Sequence, residues 1–222
     1  MSTFKNIQSE KSIDLKNLVP YSDNAINSIM LALTKDLNIT IFSFDKNEFI
    51  NEHSAPADAL VYILEGELEI SIDKKIYIVK ENEMILMPAK VLHALKALDK
   101  SKMLLIIVKK EESSGGFINI DYSLNKDFTQ FIQGFKGGIV SKRVINTDNL
   151  SSLLFDISNC EEIEHNQVEG ETFILTLDGE LQITTNENNH SVKKNQVFLV
   201  PNDTLYELKS TIDSKFLLIE IN

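Results

Sequence analysis

Apolar residues in this chain fall into short runs, each closed by a turn signal. ITIFSFD (39–45), ALVYILEG (59–66), ELEISID (67–73), KIYIVK (75–80), EMILMP (83–88) and KMLLIIV (102–108) are rich in Ile, Val, Leu, Phe and Thr. Runs this short, at regular spacing, predict the strands of an all-β sandwich or barrel. Helical spacing is confined to two places. Leu15, Leu18 and Val19 precede Pro20, and Phe128, Phe131, Ile132 and Phe135 precede Gly137 and Gly138. Each predicts a short helical turn with a core-facing stripe. Gly66 and Gly179 lie between runs that would otherwise pair, which predicts a tight turn or bulge at each; Pro88 and Pro201 mark strand ends.

The same pattern is written twice. Shifted by 113 residues, 25–107 falls on 138–220 without a gap, with 25 identities in 83 positions, against a chance level of roughly 6%. LEGELEI (64–70) lies on LDGELQI (177–183), and VKENEMILMP (79–88) on VKKNQVFLVP (192–201). The organisation this predicts is an N-terminal segment over 1–24, a first barrel over 25–110, a linker and short helix over 111–137, and a second barrel over 138–222. EESSGG (111–116), polar and glycine-containing, reads as the link.

Composition narrows the classes. The formal charge of −11 disfavours phosphate backbones and anionic lipid, so neither nucleic acid nor membrane is expected as a partner. Lys109 with Lys110 and Lys193 with Lys194 read as solvated strand ends. Cys160 is the single cysteine, which rules out an internal disulfide and a cysteine-rich zinc site and fits a reducing cytoplasm. With no long apolar run, the expectation is a soluble cytoplasmic protein.

Two stretches carry a resemblance. HSAPADALVYILEG (53–66) and MPAKVLHALKA (87–97) resemble the two motifs of the cupin superfamily, G(X)5HXH(X)3,4E(X)6G and G(X)5PXG(X)2H(X)3N. His53, Gly66, Pro88 and His93 match. Asn47, Ala55 and Ala59 replace a glycine, the second histidine and the glutamate of the first motif; Asn82, Lys90 and Ala97 replace two glycines and the asparagine of the second. The first motif is similar to that of small bacterial cupins with an HSxPxDA variant. The resemblance implies two tandem cupin barrels, each a double-stranded β-helix or jelly roll, with short flanking helical turns.

In a full cupin site three histidines and a glutamate converge on a metal. Here His53 and His93 remain, and strand parity puts 53, 55 and 59 on one face. The resemblance leaves open a divalent ion (Fe, Mn, Ni or Zn) held by His53 and His93, completed by water or substrate. Without metal, the same pair orients a small molecule among Val61, Ile63 and Met87. Asp58 has the opposite parity and reads as solvent-facing or capping, with replacement of the missing carboxylate as the alternative if a bulge or twist turns it inward, while Glu48 and Glu52 read as surface charges. Lys90 and Lys96 flank His93 and read as surface lysines, with attraction of an anion to the barrel mouth as the alternative.

In the second copy the partners of His53 and His93 are Asn166 and Tyr206, and Val168 and Thr172 fill the other ligand positions, so no ligand set remains. His165 and His190 read as exposed, Tyr206 as lumen filler, and the copy as a structural partner packing on the first barrel; a homodimer stays open. Three functions follow: a binding barrel for a small molecule, a metal-dependent dioxygenase or isomerase, and a structural or interaction protein with both barrels filled. No glycine-rich phosphate loop or Gly-x-Ser-x-Gly elbow is present, and Ser54 is merely a sequence neighbour of His53.

Overall fold

The computed structural model describes residues 2–109, 115–122, 124–167, 170–186 and 188–221, with the side chains of 165–167 left aside. EESSGG therefore lies mostly outside the described residues. The predicted runs form strands at Leu37–Phe44, Asp58–Glu65, Glu67–Ile72, Lys75–Lys80, Glu83–Met87 and Ser101–Val108. Ile26–Leu33, Phe49–His53 and His93–Ala97 complete the first barrel. Among the described residues helix is limited to Leu15–Leu18 and a 3-10 turn at Phe128–Phe131. No helix among the described residues is long and apolar enough to cross a membrane.

Barrel 1 closes from two sheets. One runs, in hydrogen-bonded order, Lys126–Asp127, Glu83–Met87, Asp58–Glu65, Ser101–Val108, Leu37–Phe44 and Ile26–Leu33; the other runs Phe49–His53, His93–Ala97, Glu67–Ile72 and Lys75–Lys80. Their inner faces meet in a core that includes Phe44, Val61, Ile63, Leu68, Ile70, Val79 and Ile85. Alternation of buried and half-buried residues along Glu67–Ile72 follows from the period of two in a pleated strand. Barrel 2 repeats this plan: Leu150–Ile157, Glu171–Asp178, Glu180–Thr185, Asn188–Lys193, Gln196–Val200 and Ser214–Ile221 each stand 113 residues after a barrel 1 strand.

Gly66 shows why the turn residue is fixed. Its φ is +81°, and a Cβ there would sit 2.3 Å from the Lys100 carbonyl oxygen. Gly179 repeats the arrangement at φ +79°, with Ser214 Oγ 2.3 Å from the same position. A side chain would meet both left-handed backbone and a clash.

The compact units divide the chain differently from the sequence boundaries. One unit is Leu15–Phe128, and the other joins Met1–Asp14 to Thr129–Asn222. The reason is pairing. Ile13 and Asp14 pair with Val197 and Gln196 of barrel 2, whereas Lys126 and Asp127 pair with Met84 and Glu83 of barrel 1. Phe4 stacks on Phe173 within the second unit, at 5.5 Å between ring centroids. The segment 1–24 is thus split at Leu15, and 111–137 at Thr129.

Candidate functional site

The antiparallel pair Phe49–His53 and His93–Ala97 sets His53 directly opposite His93, past a register shift between Ile50 and His53. The rings lie 4.4 Å apart between centroids at an interplanar angle of 63°. Their environments differ: His93 is 3% exposed, while His53 is exposed at the rim. Each ring is oriented by the same local device. His53 Nδ1 lies 2.9 Å from the Asn51 carbonyl and His93 Nδ1 lies 2.9 Å from the Val91 carbonyl. A carbonyl oxygen only accepts, so each Nδ1 carries a proton, and a ring in its neutral form presents an Nε2 lone pair. Burial, then the nearby His53, hold the His93 pKa below its ordinary value, against the opposing carbonyl bond. Loss of hydration penalises the imidazolium, so the neutral ring is favoured.

Both rings border a cavity of about 140 Å³. Ala55 and Ala59 line it, along with Phe42, Ile50, Met87, Leu95, Met103, Leu105 and Ile107. Positions 53, 55 and 59 therefore share one space, with methyl groups at the last two. Met87 borders the cavity, but Val61 and Ile63 are fully buried in the packed core and do not. They have the right parity at the wrong depth, for that level of the barrel is occupied by side chains such as Leu68, Ile70 and Ile85.

Asp58 corrects the expectation of a solvent-facing carboxylate. It is 3% exposed; its Oδ1 accepts the Ala89 N–H at 2.9 Å and its Oδ2 accepts the Tyr122 hydroxyl at 2.9 Å. The capping half of the expectation describes what it does: it fixes the loop after Pro88 that delivers His93. The Lys90 N–H donates to the Ala55 carbonyl at 2.7 Å, tying the same loop to the first motif. Sequence parity placed Asp58 off the lumen but gave no sign of its burial, because its partners come from distant segments. Lys96 is exposed and lies in an outer groove with Phe49, Glu52 and Glu69, on the opposite face of its strand from the cavity. Neither Lys90 nor Lys96 borders the cavity.

Barrel 2 has different contents at the matching places. Tyr206 is 2% exposed and belongs to the core with Ile174, Phe198, Phe216 and Leu218. Burial, then the Glu220 carboxylate, push its phenol pKa above the ordinary range. Phe155 and Phe216 stack at 4.7 Å, and Thr172 is fully buried. His190 is half-buried on the strand Asn188–Lys193, 4.8 Å from the Phe198 ring between centroids, and so is not the exposed turn residue its polar neighbours suggested. Val168 and the side chains of His165 and Asn166 lie outside the described residues.

The donor set decides how far a metal fits. Among the described residues no group of three or more His, Cys, Asp or Glu comes together. Catalytic zinc usually takes three protein ligands, and non-haem iron two histidines and a carboxylate. Two Nε2 atoms beside Ala55 and Ala59 therefore do not make a resident metal centre of either kind.

Comparisons with known proteins place the architecture. Residues 40–109 match the family described as cupin domain. A cupin 2 conserved barrel domain protein from Leptotrichia buccalis superimposes over 100% of both chains, with TM-score 0.87 and 20% identity. Salicylate 1,2-dioxygenase from Pseudoaminobacter salicylatoxidans, solved as adducts with gentisate, aligns over 87% of this chain and 73% of its own, with TM-score 0.65 and 12% identity. A conserved protein of unknown function from Streptococcus pyogenes is 44% identical over 50% of this chain and 97% of its own, with TM-score 0.49. No curated protein matches. The matched span and the two sheets closing into each barrel lead to one assignment: residues 40–109 form a cupin domain, and the whole chain has the fold of cupin-barrel proteins.

Proposed function

We propose that barrel 1 binds a small molecule in the cavity below His53 and His93, with the two imidazoles orienting it. The observation that carries this reading is the composition of the cavity wall: apolar side chains, two of them methionines, apart from two rings whose Nδ1 atoms are committed to backbone carbonyls. A mostly apolar pocket with a few convergent polar atoms is the usual form of a small-molecule site. Barrel 2 carries no such pair and is read as a scaffold.

A direct test is a screen of single-ring and short-chain fragments by ligand-observed NMR, run on the intact chain and on Ala59→Leu. Binding to the intact chain that disappears in the variant supports the reading, since the larger side chain would occupy the cavity; equal binding to both overturns it. The metal-dependent dioxygenase or isomerase reading is settled separately by elemental analysis of untagged protein. About one transition metal per chain, lost in His53→Ala/His93→Ala, would restore it.

A further inference from the structure

The ligand class can be narrowed from the size and the hydrogen-bonding sense of this cavity, an inference that rests on the binding reading above. An engineered apolar cavity of about 150 Å³ takes up benzene. The barrel 1 cavity, at about 140 Å³, has room for one six-membered ring and not for two. Its polar equipment is also one-sided. With each Nδ1–H donating to a carbonyl, the free atoms are two Nε2 lone pairs on rings 4.4 Å apart. No described residue engages either Nε2, and no Lys or Arg borders the cavity. The site offers acceptors and lacks a permanent cation.

A carboxylate entering it would bury negative charge against two lone pairs and seven larger apolar side chains, which is unfavourable without a compensating donor. A hydroxyl reverses that balance, because it donates to an imidazole acceptor while its ring or chain fills the hydrocarbon space. The geometry points to a neutral, hydroxyl-bearing single-ring compound, a phenol or cyclic alcohol, as the ligand class of barrel 1. Benzoate-type acids, including dihydroxybenzoates such as the gentisate held by the salicylate dioxygenase, are selected against here.

The experiment is fluorine NMR titration of the full chain at about pH 8, where an ordinary histidine is neutral. The probes are 4-fluorophenol, fluorobenzene, 4-fluorobenzoate and 6-fluoro-2-naphthol. The expected order places 4-fluorophenol first, with fluorobenzene and 4-fluorobenzoate each about tenfold weaker or more, as loss of a buried hydrogen bond or burial of an unpaired charge requires. The naphthol should not bind. In His93→Phe the preference for fluorophenol over fluorobenzene should shrink; His53→Ala at the exposed rim gives the same readout should the buried variant fail to fold. Equal or tighter binding of 4-fluorobenzoate, or of the naphthol, overturns the ligand class while leaving barrel 1 a binding site. Binding of none of the four, fluorobenzene included, overturns the binding reading and this inference together.

Discussion

Barrel 1 and barrel 2 share a scaffold and differ in what fills it. Identities across the 113-residue shift collect at positions that shape the backbone or the lower core: Gly66 and Gly179, Asn82 and Asn195, Pro88 and Pro201, Leu68 and Leu181, Ile70 and Ile183. The cavity lining is partly shared, since Phe42, Ile50, Leu95 and Leu105 have identical counterparts in Phe155, Ile163, Leu208 and Leu218, and the contrast lies at a few of the remaining lining positions. Ala59, His93 and Met103 face Thr172, Tyr206 and Phe216 in the alignment, and each barrel 2 residue is the bulkier one. One copy keeps a hollow with two acceptors and the other replaces it with ring and hydroxyl. A few substitutions at lining positions therefore change the contents while the shared scaffold is kept.

The largest effect that tests this contrast comes from truncating the filler. Phe216 is fully buried and stacked on Phe155, so Phe216→Ala should cost about 4 kcal/mol, the range for removing a packed aromatic. Its counterpart Met103 already borders empty space. Met103→Ala deletes fewer contacts and enlarges an existing cavity, so about 2 kcal/mol is expected. Urea denaturation of the two variants measures both. Equal costs would mean that barrel 2 is as hollow as barrel 1, and the division into binding and filled copies would fail.

A smaller effect probes how the carboxylate within each first-motif segment anchors its surroundings. Asp58 accepts from the Ala89 N–H and the Tyr122 hydroxyl, while its counterpart Glu171 accepts from the Thr3 N–H at 2.5 Å and from the Ser2 hydroxyl. Both hold a segment from outside the repeated strands, but only Asp58 fixes the loop that carries a site histidine. Asp58→Ala should cost about 2 kcal/mol, since it removes the buried acceptor of two charge-assisted bonds and leaves a half-buried amide unpaired. It should also weaken ligand binding in barrel 1. Glu171→Ala, at a half-buried position, should cost less and leave binding unchanged. Thermal melts with and without a fragment ligand separate the two readouts.

These particulars show what the chain alone made legible. Local signals carried the strands, the glycine turns and the duplication, because a period of two, a left-handed turn and a fixed shift are all properties of neighbouring residues. The juxtaposition of His53 and His93 was also readable, through motif positions known to converge. Depth was not. Parity assigns Val61, Ile63 and Met87 to one face without saying which of them meets a void, since that depends on volumes supplied by other strands. The burial of Asp58 and His190 has a related cause: a polar residue among polar neighbours reads as solvated, whereas Tyr122, the Ala89 amide and Phe198 enclose them from elsewhere in the sequence. The domain boundaries moved because two-residue strands such as Ile13–Asp14 and Lys126–Asp127 carry too few residues for a periodic signal.

The smallest expected effect separates the barrels by pH. His93 is nearly inaccessible and has its pKa lowered chiefly by burial, with His53 adding to the shift. Below about pH 6.5, the ordinary histidine value, the unfolded chain takes up a proton that the folded ring resists. Its stability contribution is therefore complete above that pH, declines as the pH falls towards the depressed folded value, and changes no further below it. Tyr206 stands in the same place in barrel 2 with a pKa raised far above this window, so it contributes no slope there. His93→Tyr imports the barrel 2 residue and should flatten the acid side of the stability profile relative to the parent chain, with His53→Ala giving a weaker flattening. Urea denaturation at several pH values between about 5 and 8 reads the difference; parallel profiles for the parent and His93→Tyr would show that the ring is not buried as a neutral acceptor.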